Sequence, residues 1–510
     1  MKKIIIIILT ALFALNVQAQ TLRTSYFMDK YSNRHQRNPA MSPAWGYIHL
    51  PGLGSQINLN ILQSNMKLSD YLYPVGKNGS LATFLHPDVS SKEFLRNIGR
   101  GGETIGTDGN LGVLGFGFYT KQDRFWSFDL KVRANGGIAV PKDFFALLKD
   151  MEVGLGKTYN LKNFNAAGRA YVEMAFGHAR DINENIRVGA KLKPLIGIAD
   201  VRLRVDDAAL YSDQDIIRLN VRASGSALGN FIQIEDSAGI VKEITTPENL
   251  AVQDLFGGYG AAIDLGVTWN LDNILGSLLP GLPLNGFTAS FGLTDFGFIR
   301  YKNAAKAEFN KSFVYDGFYV NVDDNEFEFN ADHITEQFED LLENFRKVPS
   351  DKGVSRGLRT TTNVGLEYSF LDNKMSAGLL WSTHFGLPKV FNELTFSYNL
   401  RPCNWFALSL SSSVANGFFR SAGWAMNITP KYGLTFFIGM DYIPFAWTPK
   451  LDDFDWGTRL GVPIHNTNFN LNFGMSIPLG GNRYHKFPSR RELRNRTMEV
   501  DTSTSEVEES

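Results

Sequence analysis

Cysteine is almost absent. Cys403 is the one thiol in 510 residues, so no internal disulfide can form and no cysteine-based metal cluster can assemble. It falls at a predicted turn and reads as a bystander. The eight histidines are scattered and show no HExxH or other metal spacing. Neither sign of charge is in excess: 51 Lys and Arg stand against 52 Asp and Glu, a formal net charge of -1. That removes the electrostatic case for nucleic acid as a partner. After Leu15 no apolar run approaches the length of a spanning helix, about 18 residues.

Chemical motifs are missing as well. Gly154, Gly156, Lys157 and Thr158 look like the end of a phosphate-binding loop, but its first glycine would fall at Met151 and no buried strand precedes it. Asp323, Asp324, Asn325 and Glu326 lack the glycine of a calcium loop. No Ser/His pair or paired carboxylates stand out, so the chain reads as a non-enzyme that needs no cofactor.

What is present is an export signal and many alternating segments. Lys2 and Lys3 precede an apolar run from Ile4 to Leu15, and Val17-Gln18-Ala19 offers small residues for cleavage. Residues 1–19 thus read as a secretory signal peptide cleaved near Ala19. An exported chain without a spanning helix can enter a membrane only as a closed barrel.

The alternation is clearest from Leu358 to Tyr442. Val364, Leu366, Tyr368 and Phe370 interleave with Asn363, Gly365, Glu367 and Ser369. Breaks as short as Asp372-Asn373, Pro402-Cys403 and Thr429-Pro430 separate the segments. Period two sorts each segment into two faces, and such breaks suit hairpins. Trp126, Phe128, Leu130 and Val132 likewise alternate with Ser127, Asp129, Lys131 and Arg133. Aromatics at 13% and 48 glycines fit an outer-membrane wall with aromatic girdles.

About fourteen strands are expected, the first from Gln56 to Leu62 and the last ending near Leu479. Connections alternate between mostly short and mostly long. That is the asymmetry of short periplasmic turns and long extracellular loops, and an even count puts both chain ends in the periplasm. Helix signals lie in the long loops: Ser90 with Glu93 as a capping box, Pro141 leading into Phe144 to Leu148, and Ile334 to Phe345 at helical spacing.

The expected fold class is therefore all-β, a transmembrane antiparallel barrel over residues 55–480. Residues 20–54 carry no clean strand and are expected as a hatch, with Asn38, Pro39, Ala40 and Pro43 inside the lumen. Residues 481–510 read as a disordered charged tail. Trp126, Phe128, Leu130, Phe396, Leu408, Phe436 and Phe473 should face lipid. Asp129, Lys131, Arg133, Glu173, Arg187, Lys191 and Lys193 should face the lumen. Pro194 cannot donate a ladder hydrogen bond. A bulge or break is expected from Lys193 to Gly197, either in an extracellular extension of the strand or as a lateral opening at Pro194 and Gly197.

Asn38-Pro39-Ala40, Gly292-Leu293-Thr294-Asp295-Phe296-Gly297-Phe298 and Asn363-Val364-Gly365-Leu366-Glu367-Tyr368 carry a resemblance. In these stretches the chain resembles the FadL-type outer-membrane barrels, above all their Bacteroidota relatives. The resemblance spans most of residues 20–480. It implies a luminal N-terminal hatch and, as in transport members, passive uptake of hydrophobic or amphipathic small molecules. Other relatives imply the alternative, a non-transporting scaffold subunit of a secretion or assembly complex. Membrane lipids are then the first partner, with periplasmic or outer-membrane proteins reached through the tail. One departure stands out: the chain does not end on an aromatic residue of its last strand.

Overall fold

The computed structural model describes most of residues 22–443 and residues 469–480; the main stretches outside this description are 1–21, 50–56, 64–69, 150–157, 246–255, 279–285, 316–321, 328–344, 444–468 and 481–510. The expected signal peptide, the expected charged tail and all but the end of the helix expected at Ile334 to Phe345 fall in those stretches; Phe345 itself begins a short strand, Phe345–Val348.

The wall is a closed antiparallel β-barrel of 14 strands. Its first strand has two parts, β1 (Gly46–His49) and β2 (Ile57–Gln63). There follow β3 (Glu103–Tyr119), β4 (Phe125–Val140), β5 (Asn165–Asp181) and β6 (Ile186–Asp213). β7 (Ile216–Leu228) pairs only with the distal half of β6 and with β10, and extends the sheet beyond the barrel's long-loop end. β8 (Gly258–Asn270) and β9 (Phe287–Tyr301) return to the wall, and β10 (Ala304–Tyr315) flanks β7. The remaining wall strands are β11 (Thr361–Phe370), β12 (Met375–His384), β13 (Phe391–Cys403), β14 (Phe406–Ala415), β15 (Phe418–Ile428), β16 (Thr435–Met440) and β17 (Phe469–Leu479). β17 closes the ring on β1 (Gly46 opposite Leu479) and on β2 (Ile57 opposite Phe473).

Closure corrects one expectation: residues 20–54 do contain a strand. Gly46 to His49 fill the place between β17 and β3 at the short-turn end. Four residues between Pro43 and Pro51 are too few to show a period, and the two waiting ladders decide their conformation rather than local pattern. Several strands also outrun their patterns. β3 starts at Glu103 and β6 runs on to Asp213, because residues beyond the apolar belt need no alternation to stay paired.

The alternating residues sort as period two requires. Along β4, Ser127, Asp129 and Lys131 are buried inside, while Trp126 and Val132 are exposed outside. Phe128 and Leu130 share that outer face, as do Phe396, Leu408, Phe436 and Phe473 on their own strands. Exposed aromatics recur near both ends of the wall strands. Trp126, Trp269 and Trp405 lie towards the short turns, and Tyr259, Phe298 and Trp381 towards the long loops.

Two expected helices form in the long loops, α1 (Ser91–Asn97) and α2 (Lys142–Lys149). They pack through Phe94 and Phe145 with Phe84 stacked on Phe94. The capping box does not form: Ser90 is at the N-cap position but its side chain makes no cap hydrogen bond. A third helix, α3 (Asp272–Leu278), lies in one of the connections at the short-turn end.

Candidate functional site

Residues 22–45 lie inside the barrel, and nearly every one is buried. They form turns and one short 3-10 turn, Arg34–Gln36. Pro39 and Pro43 lack the amide protons that regular structure would use. Turn hydrogen bonds within the segment and wall side chains together satisfy the irregular backbone, as buried polar groups require.

Buried charges hold the segment at three places around the wall. At its start, Arg23 Nη1 lies 3.0 Å from Glu393 Oε2. The Arg23 and Thr24 amides donate to the two carboxylate oxygens of Asp441 at 3.0 and 2.9 Å, and Arg23 also bonds Tyr442. In the middle, Arg401 of β13 reaches Asp29 at 3.1 Å, Glu367 at 2.9 Å and the Phe27 carbonyl at 2.8 Å. Further on, His35 Nε2 is 3.1 Å from Asp129 Oδ2 and 3.0 Å from the Tyr47 hydroxyl. Removing one member of such a buried pair typically costs about 3–5 kcal/mol, because its partner is left uncompensated. The contacts thus fix where the segment sits more than they add net stability.

Glycines make room for it. Gly189, Gly266 and Gly292 are directly opposite one another on β6, β8 and β9, and their inner faces form a flat floor under Arg37 to Ala40. A Cβ on Gly266 would come within 2.1 Å of Asn38 Oδ1, and one on Gly189 within 2.3 Å of the Pro39 carbonyl carbon. Asn38 Oδ1 accepts from the Ala40 amide at 3.0 Å, and its Nδ2 donates to Tyr26 at 3.3 Å and to the Val267 carbonyl at 3.4 Å. Asn363 ties the neighbouring Arg37 through its carbonyl at 3.1 Å. Pro43 sits near the short-turn end, where its carbonyl accepts from Tyr119.

Beside the segment, towards the long loops, is a polar cavity of about 60 Å³. Lys131, Arg133, Glu173, Lys191 and Lys193 all line it. Lys193 Nζ is 2.6 Å from Asp264 and 2.8 Å from Asp295. Arg133 Nη1 is 2.7 Å from Glu173 and 2.8 Å from Asp295. Lys191 lies 3.7 Å from Asp129. Arg187 sits apart, lower in the barrel, bonded to Asp181 at 2.8 Å and to Ser42 at 3.1 Å. Asp264 and Asp295 meet where β8 and β9 shift register, with Asp295 at φ 59° and its amide 2.7 Å from Asp264 Oδ1. Neither acid was among the expected luminal residues, since the bulge that brings them together has no signature in either strand alone.

At Pro194 the strand is thinned rather than displaced. The β6–β8 ladder continues through Pro194 opposite Ala261. Towards β5 the register is the same on either side (Glu173 opposite Leu195, Phe176 opposite Leu192), with the two intervening pairs missing. The register shift comes later, between Ala170 and Tyr171, where Ile198 is the extra residue. Gly197 lies under Ile299 and Tyr301, where a Cβ would be 2.6 Å and 2.7 Å from their side chains.

A closed antiparallel barrel with an apolar exterior and part of its own chain folded inside is a plugged-barrel architecture. The chain belongs to the group described as "Family of unknown function (DUF5723)", whose model matches residues 39–441. Among solved structures it is similar to the toluene transporter TbuX of Ralstonia pickettii, at 9% identity and a TM-score of 0.34, covering 88% of this chain and 93% of that one. The toluene transporter TodX of P. putida matches at 10% identity and 0.34, covering 87% and 91%. A FadL homologue from Pseudomonas aeruginosa matches at 11% identity and 0.36, covering 90% and 98%. No curated protein sequence matches the chain. Likenesses this distant say nothing about substrate.

Proposed function

We propose that the protein is an outer-membrane channel, closed at rest by its own N-terminal hatch, that passively admits amphipathic or hydrophobic small molecules. The observation that carries this reading is a closed barrel holding residues 22–45 of its own chain across the lumen. A wall built only for rigidity has no use for a separate segment held by discrete polar contacts on a glycine floor.

The membrane placement rests on the exterior. Tyr259 and Trp269 are exposed aromatics near the two ends of β8. The ten residues of rise between them, at about 3.3 Å each, give roughly 33 Å along the strand. A tilt of about 40° reduces this to roughly 25 Å, the height of an outer-membrane apolar band. The charged lining of the cavity favours an amphipathic cargo over a wholly apolar one. An apolar part would leave sideways near Pro194 and Gly197, where the ladder to β5 is thinned.

Deleting residues 24–44 tests the reading. The shortened protein should refold and show a steady conductance in planar bilayers that the full chain lacks. A refolded barrel that stays closed would sink the hatch.

A further inference from the structure

The cavity beside the hatch contains donors that the protein does not use. Lys131 is 6% exposed and lines the cavity, yet no carboxylate lies within ion-pairing distance of it among the described residues. The acids around it are engaged elsewhere. Its cross-strand neighbour Glu173 is held by Arg133 and Lys193, and Asp129 by His35 and Lys191. Across the cavity, His384 is 3% exposed. Its Nδ1 is 2.8 Å from the Thr361 hydroxyl, while its buried Nε2 has no partner. If Thr361 donates to Nδ1, Nε2 carries the proton. The Nε atoms of Arg133 and Arg359 are also buried without a partner.

An ammonium and three unused N–H groups around one polar cavity form a site for an acceptor-only group. Leaving buried donors unsatisfied costs about 1–3 kcal/mol each, so the site favours an occupant that accepts from all of them. About 60 Å³ holds a few waters at about 10–15 Å³ each by this measure. That is small beside pockets for drug-sized ligands, about 300–1,000 Å³, and its charged lining suits a compact polar group. We propose that this cavity binds a compact oxyanion, a phosphate or carboxylate group, through Lys131 and His384. This rests on the channel reading for its purpose but not for its chemistry. The oxyanion belongs either to a free small ion or to the head of a larger amphiphile whose remainder lies outside the cavity.

Binding is measured on the full-length mature protein in detergent, as the shift of its unfolding midpoint at constant ionic strength. The probes are inorganic phosphate, acetate and octanoate, with chloride as the reference. Wild type should show a saturable stabilisation that weakens at least tenfold in Lys131→Met and in His384→Phe. His384→Gln, which keeps a donor, should retain much of it. Equal shifts from acetate and octanoate point to a free ion, and a much tighter octanoate to an amphiphile head. Either supports the site. If no probe binds, or if binding is unchanged in Lys131→Met and His384→Phe, the proposal is wrong. Should one variant fail to fold, the other decides. Conductance of the hatch deletion is independent of these outcomes, so the channel reading stands or falls separately.

Discussion

For the proposed hatch, one methyl group separates a seated segment from a displaced one. At Gly266 the added carbon would sit 2.1 Å from Asn38 Oδ1 and 2.8 Å from the Ala40 amide, and neither can retreat without breaking the turn that joins them. Overpacking of this kind typically costs about 1–3 kcal/mol. Here it falls on the docking of the hatch, because the β8 backbone is fixed by ladders on both sides. Gly266→Ala should therefore fold like wild type yet show channel openings in bilayers, while outward-facing Val267→Ala should not. A closed Gly266→Ala channel would mean that the floor is not what seats the hatch. Such positions are hard to see in the sequence. Gly189, Gly266 and Gly292 are far apart in the chain and become one surface only through strand register. Arg401 and Asp29 are 372 residues apart, and nothing local to either announces the other. Lys131 and Lys193, by contrast, sit on the polar side of clear period-two strands, which is enough to assign their face.

At the scale of elements, the hairpins from β11 to β15 are legible because the apolar period and the short breaks agree. The Asp372-Asn373 break is built with Leu371, Asp372 and Asn373 all at positive φ, a conformation that Asn and Asp tolerate best. β1 is illegible for the opposite reason, since its ladders come from β3 and β17 rather than from its own four residues. The bulge near Pro194 is displaced from expectation because proline removes one donor without adding a residue. Only the extra residue at Ile198 shifts the register. This sets the test for lateral exit. Leu192 is 56% exposed on the outside and Leu195 is 2% exposed. With Cys403→Ser as background, a label on Leu192→Cys should be quenched from lipid and one on Leu195→Cys should not. In the Gly266→Ala protein the Leu195→Cys label should become reachable from lipid. If only aqueous quenchers ever reach it, the wall does not open there.

For the whole molecule, the two faces of the wall obey opposite rules. Leu130 belongs to the outer face of β4, and its neighbours Asp129 and Lys131 are buried inside. A charge at mid-membrane on the outer face costs about 2–4 kcal/mol for Arg or Lys. Leu130→Arg should therefore lower the stability measured by denaturant titration in lipid vesicles by about that amount. Lys131→Ala should cost little, since Lys131 is no carboxylate's ion-pair partner among the described residues and its loss orphans no acid. Equal losses would overturn the assignment of faces.

The contacts of Arg23 also set an order of events during assembly. Its amide bonds Asp441, 418 residues later in the chain, and the ring closes only when Gly46 meets Leu479. Both ends of the inner segment therefore depend on partners from the last part of the barrel. Closure over so long a separation makes the contact order high and the final step slow. Until then the future hatch carries its arginines, aspartate and tyrosines in water, with no floor to lie on. On the proposed channel reading, the segment can seat only after most of the wall has formed, so a barrel caught before that point should conduct.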